Sequence, residues 1–150
     1  GLRVGEVAAL RFDDALDANG TVRDEMTLDA ARTKSKRARK IFIPKQMQRQ
    51  LQAYVSSDTK RPQHGYLFST QKRARFSANT ATQHLQRLYA RAGIAGATSH
   101  SGRLTWLTTL SQKGVSVFVL ADMAGHRSIQ TTQRYVTVND EMKLNAAELI

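Results

Sequence analysis

The sequence predicts an α+β domain that is mostly helical, with one small antiparallel sheet near its front. Three observations carry this expectation. Apolar residues recur at helical spacing, as in Leu104, Leu107 and Leu110. Two short runs, 26–31 and 40–43, read as strands on either side of the basic stretch 32–39. Cap and stop residues punctuate the rest, among them Ser77, Gly93, Gly114, Gly125 and Ser128.

The elements follow in order. Val4, Val7, Ala8 and Leu10 are spaced for a first short helix. Residues 17–20, Asp-Ala-Asn-Gly, are a turn signal. The two strands then pair as a hairpin with a basic tip. Pro44 starts a helix of about a dozen residues, with Met47, Leu51 and Tyr54 or Val55 on one face. Residues 56–65 read as loop, and 66–68 as a short apolar strand. Ser77 or Asn79 caps a helix running to about Ala92. Thr98 or Ser99 caps another that ends near Gly114. Residues 117–124 form a short apolar helix stopped by Gly125. Ser128 caps a helix reaching about Tyr135, and Asn139 is the candidate cap of a last one over 141–150.

A chain of 150 residues that is 41% hydrophobic can build one real core, and one domain is expected over 1–150. There is no cysteine, hence no disulfide and no thiolate metal site. No apolar run is long enough to span a membrane, and no signal-peptide pattern is present. The expectation is a cytoplasmic protein without a membrane partner. The chain starts in mid-pattern, without Met, and reads as a piece of a longer protein.

Lys and Arg total 23 against 12 Asp and Glu, a net charge of +11. Of those cations, 16 lie in residues 1–75. Such an excess, clustered, favours a polyanionic partner, most often nucleic acid.

Four features carry candidate chemistry. Arg3 stands just before a helix in Gly-Leu-Arg-x-x-Glu. Lys34 lies in the basic hairpin. His100 and Arg103 share a helix face at i, i+3. Gly125-His126 precedes Tyr135 by nine residues, counted from His126. Each alone has an ordinary explanation: a solvated charge, a helix stop, a cap, an amphipathic tyrosine at a helix end.

Together and in this order they resemble the tyrosine recombinases, or phage integrases, across that family's whole catalytic domain. The stretch 124–135 is the most specific part. Residue by residue, Arg3 and Arg103 match the family's two arginines, His100 the histidine of the second box, and Lys34 the hairpin lysine, with Lys36 as its rival. His126 matches the His/Trp position and Tyr135 the nucleophile. Departures are Gly102 where a Leu precedes the arginine, Ala124 for the Leu of Leu-Gly-His, and Phe42 where Pro is common.

The resemblance implies the integrase catalytic fold. It implies DNA strand cleavage and rejoining through a covalent phosphotyrosyl intermediate, without a metal or other cofactor. The absence of an acidic cluster in the sequence agrees with that last point. Arg3 and Arg103 would present donor forks to the phosphate, Lys34 would be the general acid, His100 the proton acceptor, and His126 a phosphate ligand. Glu6 would orient one of these groups or act as a helix N-terminal carboxylate. Lys36, Arg37, Arg39, Arg73 and Arg75 are the leading candidates for DNA phosphate contacts. The implied partners are double-stranded attachment sites and three further copies of the full-length protein, with this piece monomeric alone. The resemblance implies an N-terminal DNA-binding domain, which residues 1–150 are expected not to include. The tail after Tyr135 is expected to dock either on its own body or on a neighbouring protomer. Two other functions fit parts of the pattern: relaxation of supercoiled DNA by a type IB topoisomerase, and DNA binding without catalysis.

Overall fold

The computed structural model describes residues 1–33, 36–57, 65–70, 74–136 and 138–149. Its elements are α1 (Val4–Ala8), α2 (Phe12–Ala15), β1 (Glu25–Leu28), β2 (Arg39–Phe42), α3 (Lys45–Ser56), α4 (Ala78–Arg91), α5 (Ser101–Gln112), α6 (Val117–Ala124), α7 (Ile129–Gln133) and α8 (Asp140–Ala147). The chain is the predicted helical α+β fold with one two-stranded antiparallel sheet.

The front half is stitched by polar side chains at helix starts. The Glu6 carboxylate accepts from the Arg3 backbone N–H at 2.7 Å, and Asp14 does the same for Arg11 at 2.8 Å. Each satisfies a donor that a helix N-terminus leaves orphaned. Asp17 closes the expected turn by accepting from the backbone N–H groups of Asn19 and Thr21.

β1 and β2 pair with Met26 opposite Ile41 and Leu28 opposite Arg39. The first strand is shorter than the sequence suggests, because Ala30–Arg32 winds into a 3-10 turn. The Arg32 guanidinium grips both oxygens of Asp14, at 2.6 and 2.8 Å, and reaches Asp29. This pulls the chain out of the ladder. Residues 66–68 contribute a single bridge, Tyr66 to Arg11, in place of the expected strand.

One core gathers Leu10, Phe12, Leu16, Val22, Met26, Leu28, Ile43, Val55 and Leu67. It is closed on one side by α3, from which Leu51 and Tyr54 also pack inward, whereas Met47 points away and is half exposed. A second, smaller cluster joins Leu107 of α5 to Leu120 and Ala124 of α6, with Trp106, Leu110, Val115 and Tyr135 against it. Ser77 caps α4, accepting from the Thr80 N–H at 3.0 Å. α5 starts at Ser101, two residues beyond the latest expected cap. At Gly102 a Cβ would sit 3.3 Å from the Tyr89 hydroxyl of α4, a tight contact with the end of that side chain alone. α6 has the bounds predicted, and α8 stops at Ala147 without burying a residue.

Candidate active site

The site lies in the seam between the two cores, where the start of α1, the start of β2, the first turn of α5 and the end of α6 converge. At its base Arg39 and Glu6 form a buried ion pair. Nη1 and Nη2 of Arg39 donate to Oε1 and Oε2 of Glu6, at 3.0 and 2.8 Å. Arg3 Nη1 donates to the same carboxylate at 3.1 Å. Its Nη2 donates to the Gly125 carbonyl at 3.3 Å.

Arg103 completes the floor. It is buried, and its guanidinium donates to the Gly1 carbonyl, to the Ala124 carbonyl at 2.6 Å, and to Nε2 of His126 at 3.0 Å. The opposite nitrogen of that ring, Nδ1, pairs with the Thr132 hydroxyl at 2.7 Å. Helix ends make this possible. α6 is short and terminates in Gly125 at φ +63°, a left-handed conformation that glycine adopts without strain. A Cβ at Gly125 would also run into the Arg39 guanidinium. The stop therefore turns out the Ala124 and Gly125 carbonyls for the two arginines and delivers His126 immediately afterwards.

Three guanidiniums face one carboxylate here, so the floor is electropositive before His126 is considered. Burial works against a charged Glu6, but the Arg39 hydrogen bonds, the Arg3 N–H and both cations outweigh it and hold the carboxyl below its ordinary range. Burial and then the Arg3 charge draw Arg103 down to about 10, still protonated at neutral pH. Burial, followed by the charges of Arg103, Arg3 and Arg39, lowers His126 to about 4, so the ring is neutral. A floor of this kind suits a phosphate, whose oxygens bring the missing negative charge. A surface groove elsewhere is lined by Asp13, Asp14, Asp17, Asp24, Glu25 and Asp29, which outnumber the Arg23, Arg32 and Lys45 beside them. Its own charge repels an anion.

The structure brings Arg3, Arg103 and His126 together, with Tyr135 beside them. Tyr135 follows the end of α7, donates its backbone N–H to the Thr132 carbonyl at 2.9 Å, and packs on the Leu107–Leu120 cluster within electrostatic range of Arg103. His100 is at the α5 N-cap position, exposed and outside this hydrogen-bonded group. Lys34 and Arg73 lie outside the described residues. Lys36 and Arg37 are exposed, and Arg75 stacks on the Tyr66 ring at 5.3 Å. Arg39 departs from expectation. Instead of facing DNA it is buried, because the carboxylate of Glu6 compensates its charge inside the fold. Thr132, which no sequence signal singled out, is wholly buried at the back of the site. Among the described residues no group of three or more His, Asp or Glu gathers in a way that could hold a metal ion. No described helix is long and apolar enough to cross a membrane.

Comparison with known proteins gives a consistent picture. The sequence profile described as the phage integrase family matches residues 1–142. A tyrosine recombinase of Pseudothermotoga lettingae is 31% identical over 147 residues, which is 97% of this chain and 48% of that protein. Transposase A from transposon Tn554 of Staphylococcus aureus is 28% identical, over 94% of this chain and 41% of its own length. The chain thus spans about half the length of the curated relatives it matches. Among solved structures, that of XerA recombinase superposes with a TM-score of 0.75 at 25% identity, over 98% of this chain and 51% of that one. The Tn1549 transposon integrase, solved in complex with a circular intermediate DNA, has the same fold, with a TM-score of 0.71 at 20% identity, over 99% of this chain and 55% of its own.

Proposed function

The chain belongs to the phage integrase family, and from that premise we propose that it is the catalytic domain of a site-specific DNA recombinase serving integration or excision of a mobile element. The observation that supports the reading best is the convergence of Arg3, Arg103 and His126 on one electropositive floor with Tyr135 beside it.

The chemistry follows from these groups. A phosphodiester oxygen pair replaces the internal partners of Arg3 and Arg103, whose planar forks stabilise charge building up toward the transition state. The Tyr135 oxygen attacks phosphorus, forming the Tyr–O–P bond as the P–O5′ bond breaks. His100 receives the phenolic proton once DNA organises the start of α5 around it, and Lys34 gives a proton to the departing 5′ oxygen. The products are a 3′-phosphotyrosyl ester and a free 5′-hydroxyl. The ester conserves the bond energy, so a 5′-hydroxyl of a second duplex can reverse the step and complete an exchange. Lys36, Arg37, Arg73 and Arg75 hold the DNA backbone, and four protomers of the full-length protein act on two duplexes. The exposed α8 is then a segment for a neighbouring protomer.

The test uses nicked suicide duplexes, taken from DNA flanking the gene, with full-length protein in EDTA. A covalent adduct on a denaturing gel is expected, and its loss in Tyr135→Phe with DNA binding retained. An adduct that survives Tyr135→Phe assigns the nucleophile to another residue. Specific binding without any adduct refutes the catalytic reading.

A further inference from the structure

Thr132 touches both the His126 ring in the proposed phosphate seat and the backbone of the proposed nucleophile. Its side chain is 0% exposed. Its hydroxyl pairs with His126 Nδ1 at 2.7 Å, while its carbonyl accepts from the Tyr135 N–H at 2.9 Å.

The hydrogen-bond roles around His126 can be assigned without seeing a proton. An arginine guanidinium has donors and no acceptor. With Arg103 Nη2 at 3.0 Å from Nε2, Nε2 must be the accepting nitrogen. The proton of the neutral ring is therefore on Nδ1, and Nδ1–H donates to the Thr132 oxygen. In this state the nitrogen that faces the site cannot donate to anything.

A phosphodiester oxygen only accepts. For Nε2 to bind one, the ring must carry a proton there. One route is a second proton, giving an imidazolium that burial opposes first and the charges of Arg103, Arg3 and Arg39 oppose next. The other is transfer of the single proton from Nδ1 to Nε2. That route requires the partner of Nδ1 to change from acceptor to donor. A backbone carbonyl or a carboxylate cannot make the change. A hydroxyl can, by rotating its O–H.

We propose that Thr132 is a positioning residue whose hydroxyl accepts from His126 Nδ1–H in the DNA-free protein and donates to Nδ1 once an oxyanion displaces Arg103 from the ring, leaving Nε2–H to hold the oxyanion. The ring gives up its Nδ1 proton to solvent and takes one at Nε2. The hydroxyl keeps its own, and the net charge is unchanged. The Thr132 and His126 heavy atoms stay where they are. The inference rests on the reading of this floor as a phosphodiester seat, but its first half concerns the DNA-free protein alone.

The experiment is side-chain 15N NMR on full-length protein labelled at histidine, at neutral pH, without ligand and then titrated with sulfate, an oxyanion that only accepts hydrogen bonds. The expected result is a singly protonated ring throughout, with the proton on Nδ1 in the free protein and on Nε2 at saturation. A proton on Nε2 in the free protein, a doubly protonated ring at saturation, or a tautomer that does not change overturns the proposal. Thr132→Ser keeps the exchange and Thr132→Val loses it. In suicide-duplex cleavage, Thr132→Val slows adduct formation by about 10- to 100-fold. Thr132→Ser restores it, and Thr132→Val has no further effect in a His126→Ala background. Equal losses in Val and Ser variants assign Thr132 a packing role only. A wild-type protein that shows the tautomer exchange but forms no adduct refutes the recombinase reading and leaves this one standing.

Discussion

Arg39 and Glu6 meet as a two-point pair inside the fold, with side chains only 6% and 3% exposed. The pair joins the second strand of the hairpin to the helix that follows Arg3. Breaking such a pair strands a charge where water cannot reach it. Glu6→Ala is expected to cost about 3–5 kcal/mol of unfolding free energy, read from urea denaturation. Glu6→Leu combined with Arg39→Met recovers much of that stability but not cleavage, since Arg3 loses its carboxylate.

Gly125→Ala is expected to destabilise by about 1–3 kcal/mol. The φ of +63° strains any L side chain, and the added methyl displaces the Arg39 guanidinium. Loss of adduct formation should exceed the loss of fold, because the Ala124 and Gly125 carbonyls that anchor both arginines shift with the turn. Parallel melts and suicide-duplex rates separate the two.

Arg103→Lys keeps one charge and loses the fork that spans two carbonyls and His126. Cleavage should fall by about 10²- to 10³-fold, with DNA affinity changed far less. A binding titration beside single-turnover cleavage checks this.

Stability should depend on pH in two stages. His126 is a base whose folded pKa lies below its free value, so unfolding takes up a proton between pH 6.5 and about 4, and stability falls as pH drops through that window. Glu6 and Asp14 are acids with lowered folded pKa values. Burial opposes that lowering, but their arginine partners prevail. Their contribution is complete at neutral pH, starts to fall as pH nears 4.5 for Glu6 and 3.8 for Asp14, and is lost through the folded values. Thermal melts across this range should show both declines, and His126→Gln should remove the first.

Deleting residues 139–150 should leave the melting temperature unchanged, because α8 buries none of its residues and Leu144 and Leu149 are 61% and 86% exposed. Light scattering of the full-length protein on DNA should instead lose the higher assembly. A large drop in melting temperature would place the helix on its own body.

Much of this was legible where the signal is local. α6 is bounded by Ser116 and Gly125, and α4 by Ser77, residues whose preference for helix ends is intrinsic. The ordered set Arg3, His100, Arg103, His126 and Tyr135 was readable as a pattern. What was hidden depends on partners distant in the chain. Arg39 belongs to a basic run that reads as surface, and only folding reveals a carboxylate 33 positions away waiting for it. Thr131 and Thr132 are adjacent and chemically identical. One is exposed and the other enclosed, a distinction made by how α7 lies against α6. Tyr66 and Phe68 favour a strand by composition, yet among the described residues Arg11 is their one bridging partner.

The end of α7 at Gln133 has a consequence for timing. The charged floor is clamped by helix termini and a buried pair, while Tyr135 lies past the last helical residue, where its N–H meets the Thr132 carbonyl and its ring packs on the Leu107–Leu120 cluster. Such a layout separates readiness from commitment. On the proposed reading, the seat can hold its phosphate while the position of the phenol is set separately by the segment beyond α7.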